Sequence, residues 1–298
     1  MDYILSYKYL FSNKYETDPL TKYFDADAIF FTNYARTGLL MLLKAMAKQQ
    51  KLRVGVQVFN CPTVLHAIEQ SGCVPVFIDI NEEFIIDSQD LRRKIKELDV
   101  LIINHTFGIP GNIDDYKTIA GKIPIIEDCA HSLLSYYKGE PTGTTGDAAI
   151  FSFGYGKYPS IGPGGFILVN NNSFKESLSK QLKDLPEPAF FQSIMNIQKN
   201  LLWSKLNQRP LYGMFSFPFG RRLDKRYDFL GKTSFQAKNG FRSNIHLFLK
   251  GFNKFKASVE LQRRNGLLLK DILQENLDCI TDTEFRRLNY SFFPVLLK

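Results

Sequence analysis

The chain contains no apolar run approaching the roughly 18 residues that a membrane-crossing helix needs, so no transmembrane segment is predicted. Its opening, Met1 to Asp18, lacks a basic stretch followed by an apolar stretch and a small-residue cleavage site, so it does not read as a secretory signal. Cysteine is scarce: the four are Cys61, Cys73, Cys129 and Cys279, with no C-x-x-C pair, which points to reduced thiols and a cytoplasmic location. The four histidines form no i, i+4 pair, so no metal site is expected. No internal repeat is present and no nucleic-acid-binding motif is visible. Gly156-Lys157 suggests a phosphate loop, but Tyr158 stands where that motif requires Ser or Thr.

What is present is an ordinary globular composition: 298 residues, 44% apolar and 23% charged. The net charge is +8, with much of the excess after residue 174. Such an excess favours anionic partners, though a solvated basic surface produces it equally well.

From residue 30 to 170, short β-rich runs alternate with helical patterns. Strands are predicted at Val54–Phe59, Pro75–Ile80, Val100–His105, Ile123–Glu127, Ala149–Phe153 and Phe166–Asn170, and helices at Thr37–Lys48, Pro62–Gln70, Gln89–Leu98 and Ile113–Lys122. That alternation predicts an α/β fold with a mostly parallel sheet covered on both faces. The composition changes near Asp184. Residues 185–235 are rich in aromatics, proline and basic side chains, and read as an insertion packed on its own protein, an oligomer contact or a membrane-touching surface. Phe241–Leu273 then has helical periodicity. The expected division is a large domain over 1–184, followed by the insertion and a smaller C-terminal part over 185–298.

Three segments carry candidate chemistry. Lys157 leaves a predicted core strand in Phe151-Ser-Phe-Gly-Tyr-Gly-Lys157; a lysine partly desolvated there has a lowered pKa and becomes an amine nucleophile fit to form a Schiff base. Asp128 ends a buried strand, where α/β sheets place their ligands. It either pairs with a protonated ring nitrogen or caps a helix. His131, three residues on, either lies beside the same ring or is a hydrogen-bonded, half-buried histidine. Arg36 and Thr37 open a strongly apolar helix whose free N–H groups suit a phosphate, with Ser152 as a further donor; plain helix capping is the alternative.

The order and spacing of these segments carry more weight than any one of them. Glu127-Asp128-Cys-Ala-His131, Lys138-Gly139, Gly146-Asp147, Phe151-Ser152-Phe153, Lys157 and Gly164-Gly165 resemble the signature of the DegT/StrS family of nucleotide-sugar aminotransferases dependent on pyridoxal 5'-phosphate (PLP). Ala35 to Met46, Asn60-Cys-Pro-Thr and His105-Thr-Phe-Gly108 resemble further family segments. The resemblance implies the aspartate-aminotransferase fold, that is, PLP-dependent transferase fold type I. It also implies that Lys157 carries the cofactor, Asp128 faces the pyridine nitrogen, His131 lies near the ring hydroxyl, and Ser152 with Arg36 and Thr37 holds the phosphate. Cys61 falls where the family stacks an aromatic residue on the ring. Asn239 stands one position out of register with an asparagine that relatives send to the partner subunit's phosphate. Some relatives have histidine at the lysine position and act as dehydratases; Lys157 argues against that.

The implied reaction moves an amino group from an amino acid, glutamate, to a keto sugar on a nucleotide diphosphate, in a homodimer, for cell-surface polysaccharide or other glycan synthesis. Family chains run beyond the strand-like segment at Asn289–Lys298, so the small domain is expected to be incomplete. A degenerate binding or regulatory protein and a membrane-surface component of polysaccharide assembly are the competing readings.

Overall fold

A computed structural model describes residues 7–10, 12, 15–26, 28–208, 210–216 and 235–297. Part of the aromatic and basic stretch predicted at 185–235 lies outside them.

The apolar runs form one seven-stranded sheet. Its strands are β1 (Ala28–Thr32), β2 (Arg53–Gln57), β3 (Val74–Ile78), β4 (Val100–Asn104), β5 (Ile125–Asp128), β8 (Ala148–Ser152) and β9 (Gly165–Val169), with β6 (Tyr136–Tyr137) and β7 (Glu140–Pro141) forming a small hairpin outside it. The spatial order is β1-β9-β8-β5-β4-β2-β3. β8, β5, β4, β2 and β3 are parallel, and β9 runs antiparallel between β8 and β1. The connections from β1 through β5 are made by α2 (Ala35–Ala47), α3 (Pro62–Gln70), α4 (Ser88–Lys94) and α5 (Ile113–Ala120), which follow α1 (Asp18–Phe24) in chain order. β4, β5, β8 and β9 are buried along their whole length, as strands covered on both faces must be.

Two glycines permit close approach. A Cβ on Gly38 would come within 2.8 Å of the Ile167 side chain, so glycine lets α2 lie tight on β9. A Cβ on Gly165 would come within 2.4 Å of the Phe151 carbonyl oxygen and 2.7 Å of the Ala35 nitrogen, so glycine there lets the start of α2 lie against β9.

After β9 come α6 (Lys175–Lys183), α7 (Phe190–Leu206) and one continuous helix, α8 (Arg242–Leu273). The first half of α8 packs onto the sheet: Phe248, Phe252 and Phe255 share a core with Phe151, Phe153 and Phe166, and Phe153 and Phe248 stack at 4.8 Å. Residues on both sides of the expected division at Asp184 therefore share one core. Beyond α8, β10 (Leu277–Cys279) pairs with β12 (Val295–Leu297), and β11 (Arg286–Arg287) joins the β6–β7 hairpin. No helix among the described residues is long and apolar enough to cross a membrane.

Candidate active site

The C-terminal ends of β4, β5 and β8 converge on two adjoining cavities, where doubly wound sheets place their ligands. Asn104 ends β4, Asp128 ends β5 and Ser152 ends β8, with Asn104 paired to Asp128 in the ladder. The larger cavity measures about 930 Å³ and brings Arg36, Cys61, Asp128, Ser152 and Lys157 to one space. A smaller adjoining cavity of about 300 Å³ shares Cys61, Asp128 and Lys157 and adds His131.

Asp128 is almost fully buried. Its Oδ2 accepts from Asn104 Nδ2 at 2.8 Å and its Oδ1 from the Ala130 amide at 3.0 Å. Asn104 is in turn fixed by Asn60, 2.9 Å away, and by Gln57, whose Oε1 accepts from the Asn104 amide at 3.1 Å. Burial pushes the Asp128 carboxyl above its ordinary range, only partly offset by the Ala130 amide and the Lys157 charge. Beneath it, Glu127 accepts from the amides of Gly143, Thr145 and Gly146 at 2.8, 2.9 and 2.6 Å and meets His105 Nε2 at 2.9 Å. Burial opposes its ionisation, but His105 and the amides outweigh burial and hold its carboxyl below the ordinary range. His105, Glu127 and Cys129 lie close enough to share an ion. Yet His105 Nδ1 accepts from the Gly111 amide at 3.0 Å and its Nε2 is engaged by Glu127, so the ring has no lone pair left for a metal.

Lys157 sits in a turn closed by its own amide donating to the Gly154 carbonyl at 3.1 Å. Burial lowers its pKa, outweighing the opposing effects of Asp128 and Cys61. Its Nζ hydrogen-bonds His131 Nε2. His131 Nδ1 accepts from the Phe107 amide at 3.2 Å, and burial together with the Lys157 charge lowers the ring's pKa to about 4. A neutral imidazole with Nδ1 accepting carries its proton on Nε2, the atom that meets the Lys157 amine. Phe107 and Phe292 pack on the His131 ring, with centroids 6.3 and 4.8 Å away, and Asn289 Nδ2 donates to the His131 carbonyl at 2.8 Å.

Arg36 also lines the larger cavity. Its guanidinium is sandwiched between Tyr34 and Phe235, 4.5 and 4.7 Å from the ring centroids. Its Nε is buried and has no hydrogen-bond partner. A buried donor on a cation, left unpaired beside a helix start, fits an anionic oxygen. Thr37 is turned away from this wall: its hydroxyl donates to Asn33 Oδ1 at 2.7 Å and its amide to the Tyr34 carbonyl at 3.0 Å. Asn239 does not line the cavity of its own chain; its Nδ2 donates to the Leu185 carbonyl at 3.1 Å and to Glu187 at 3.0 Å. Ser152 Oγ accepts from the Gly154 amide at 3.3 Å and keeps its proton for a ligand.

Sequence reasoning did not find the Gln57–Asn60–Asn104 chain behind Asp128 or Phe235 over Arg36. Asn104 is the last residue of a strand beside Asp128, and strand-end position was the available signal. Phe235 is brought over by the Asn33 side chain, which binds Gln236 and Lys238 across some two hundred positions and leaves no local trace. Gln192, Asn196 and Lys199 of α7 also line the cavity.

Fold and cavity together define the class: the architecture is fold type I of the PLP-dependent transferases. Nearly the whole chain superposes on sugar aminotransferase structures. It matches the PLP form of the putative sugar aminotransferase Spr1654 from Streptococcus pneumoniae at a TM-score of 0.72, with 17% identity, over 99% of this chain and 75% of that one. For Helicobacter pylori PseC, an aminotransferase of pseudoaminic acid biosynthesis, the TM-score is 0.74, with 15% identity, over 99% and 74%. Residues 7–184 match the family model, and the chain belongs to the DegT/DnrJ/EryC1/StrS aminotransferase family. Among curated relatives, the lipopolysaccharide biosynthesis protein RfbH of Salmonella typhimurium is 26% identical over 248 residues, 80% of this chain and 53% of that protein. GDP-perosamine synthase of Escherichia coli O157:H7 is 32% identical over 113 residues, 37% of this chain and 31% of that protein. The chain thus spans about half or less of the length of these curated relatives.

Proposed function

We propose that this chain binds PLP and acts in transamination of a nucleotide-linked keto sugar, in the synthesis of a cell-surface polysaccharide or other glycan. The observation that carries the reading is Lys157: a buried amine whose pKa burial lowers, hydrogen-bonded to His131, in one cavity with an arginine whose buried Nε has no partner. The residues fit the cofactor. Asp128 is a buried carboxyl whose pKa burial raises, and it would hold a protonated pyridine nitrogen. Arg36 Nε and the Ser152 hydroxyl offer donors to its phosphate. When bound, PLP supplies an aldehyde for the lysine amine and an electron-withdrawing ring.

Each side chain then has a defined task. Lys157, whose pKa burial lowers, would hold the cofactor and would take and return the proton at the amino donor's α-carbon. His131 holds the amine in place through Nε2 and stays uncharged above its pKa of about 4. Asn104 and the Ala130 amide fix the Asp128 carboxylate in one orientation. Glutamate is the proposed donor. Residues 1–184 would form the cofactor-binding part, with α7 and α8 closing one wall. A homodimer is the proposed assembly, in which Asn239 of one copy serves the site of the other.

Adding PLP to the purified chain tests this. A visible absorbance band that survives dialysis, bleaches on borohydride and is absent in Lys157→Ala supports the reading. Loss of the band on adding glutamate alone, without any sugar, establishes the donor half-reaction. Normal band formation in Lys157→Ala defeats the lysine assignment.

A further inference from the structure

His131 stands in an irregular turn, and the carbonyls of that turn take their donors from far along the chain. Asn289 Nδ2 donates to the His131 carbonyl at 2.8 Å and to the Leu133 carbonyl at 2.9 Å. Arg263 of α8 donates to the carbonyls of Leu134 and of Leu288, the residue before Asn289. Asn289 is completely buried. Its other side meets the turn over residues 106–108. A Cβ on Gly108 would lie 2.6 Å from Asn289 Oδ1, so only glycine, here at φ +83°, leaves the room. Ser135 Oγ closes the join: it donates to the Gly108 carbonyl at 2.8 Å and accepts from the Asn289 amide at 3.0 Å. Between the two turns runs the bond from the Phe107 amide to His131 Nδ1, 3.2 Å long. Phe107 makes it from a left-handed conformation, φ 56°, which is costly for an aromatic residue and persists only where neighbours hold it.

We propose that Asn289 is a positioning residue: it clamps the Phe107 and His131 turns together and so aims the proton on His131 Nε2 at the Lys157 amine. Asn289 lines neither cavity and acts only through His131. The tautomer is what it controls. With Nδ1 accepting from Phe107, the ring proton sits on Nε2, against Lys157 Nζ. An ammonium group has no lone pair to accept that proton, so this tautomer favours the free amine. With the Phe107 amide turned away, the proton is free to sit on Nδ1. Nε2 then offers its lone pair to an ammonium, and the amine becomes harder to deprotonate. Phe292, three residues after Asn289, packs on the same ring, so one segment fixes both the backbone and the face of His131. The charge acting on the ring is that of Lys157, with Asp128 and Cys61 acting on Lys157 in turn. The bearing of this clamp on catalysis rests on the reading of Lys157 as the cofactor's amine.

The test is nitrogen NMR of the full chain with isotope-labelled histidine at neutral pH, its four imidazoles assigned by substitution. In the wild type, His131 should carry its proton on Nε2 alone. In Asn289→Ala it should show a mixture of tautomers. Borohydride trapping of pyridoxal on Lys157 at neutral pH should slow in that variant by roughly two- to tenfold, the worth of one hydrogen bond. Val259→Ala, a truncation of a fully buried side chain on α8, is the control: it should lower the urea midpoint and leave both readouts unchanged. If Asn289→Ala does not fold, Ser135→Ala, which removes the hydroxyl between Gly108 and Asn289, is read in its place and should move both in the same direction. A wild-type proton on Nδ1 overturns the proposal. So does a folded variant that keeps the Nε2 proton or the wild-type trapping rate. Equal changes in Val259→Ala also overturn it and leave Asn289 as a support of the fold. The NMR needs no cofactor, so its failure leaves the PLP reading standing, and a chain that takes up no PLP leaves the tautomer result standing.

Discussion

Glu127→Gln is the substitution whose cost follows most directly from the structure. Glu127 is completely buried, and its two oxygens take four donors: the amides of Gly143, Thr145 and Gly146, and His105 Nε2. Glutamine keeps the volume but replaces one acceptor oxygen by an NH2 group. Two of the four donors then face a donor, and the remaining two lose a charged acceptor. With an unsatisfied buried donor costing about 1–3 kcal/mol, the loss is about 3–5 kcal/mol. That is a large share of the ~5–15 kcal/mol that holds a domain folded. Urea denaturation followed by circular dichroism measures it as a lower midpoint. The folded pKa of Glu127 lies below its ordinary 4.5. Its contribution is therefore fully present above the unfolded pKa and is lost as pH falls through the folded value. The gap between wild type and Glu127→Gln should stay constant above about pH 5 and close on further acidification. A loss under about 1 kcal/mol at pH 7, or a gap that widens toward acid, would refute the reasoning.

Arg36→Leu removes the unpaired buried donor and its charge from the phosphate end; affinity for PLP should fall roughly 10- to 100-fold by absorbance titration. Affinity for pyridoxal, which has no phosphate, should be unchanged, and equal losses for both would show that Arg36 only supports the fold. Because burial lowers the pKa of Lys157, its attachment to pyridoxal should become efficient at lower pH than reaction of surface lysines. Borohydride trapping followed by peptide mass spectrometry across pH reads this, and a profile matching the surface lysines counts against it. Gly165→Ala should lower stability by about 1–3 kcal/mol by driving a methyl into the Phe151 carbonyl and the start of α2; an unshifted melting temperature contradicts that contact.

The strands and crossover helices of the sheet were readable because each is a local apolar period; α3 lies at Pro62–Gln70 as its pattern predicts. β1 was not readable. Ala28–Thr32 resembles the lead-in to the following helix, and only pairing with β9, more than a hundred residues later, makes it a strand. The antiparallel sense of β9 escaped for a similar reason, since alternation of strands and helices implies parallel strands and the β8–β9 link has no helix. Lys157, Asp128 and Ser152 could be read from strand-end position and spacing. The inward asparagines of α7 could not: in sequence they look like an exposed polar face, and only Asn244 on a distant helix reverses that.

The central claim, that Lys157 is the cofactor-bearing amine, is tested most directly by reducing the PLP-loaded chain with borohydride and sequencing its peptides by mass spectrometry. A phosphopyridoxyl mass confined to the peptide containing Lys157, and lost in Lys157→Ala, is the predicted result. The same mass on other lysines, with the Lys157 peptide unmodified, would contradict the account.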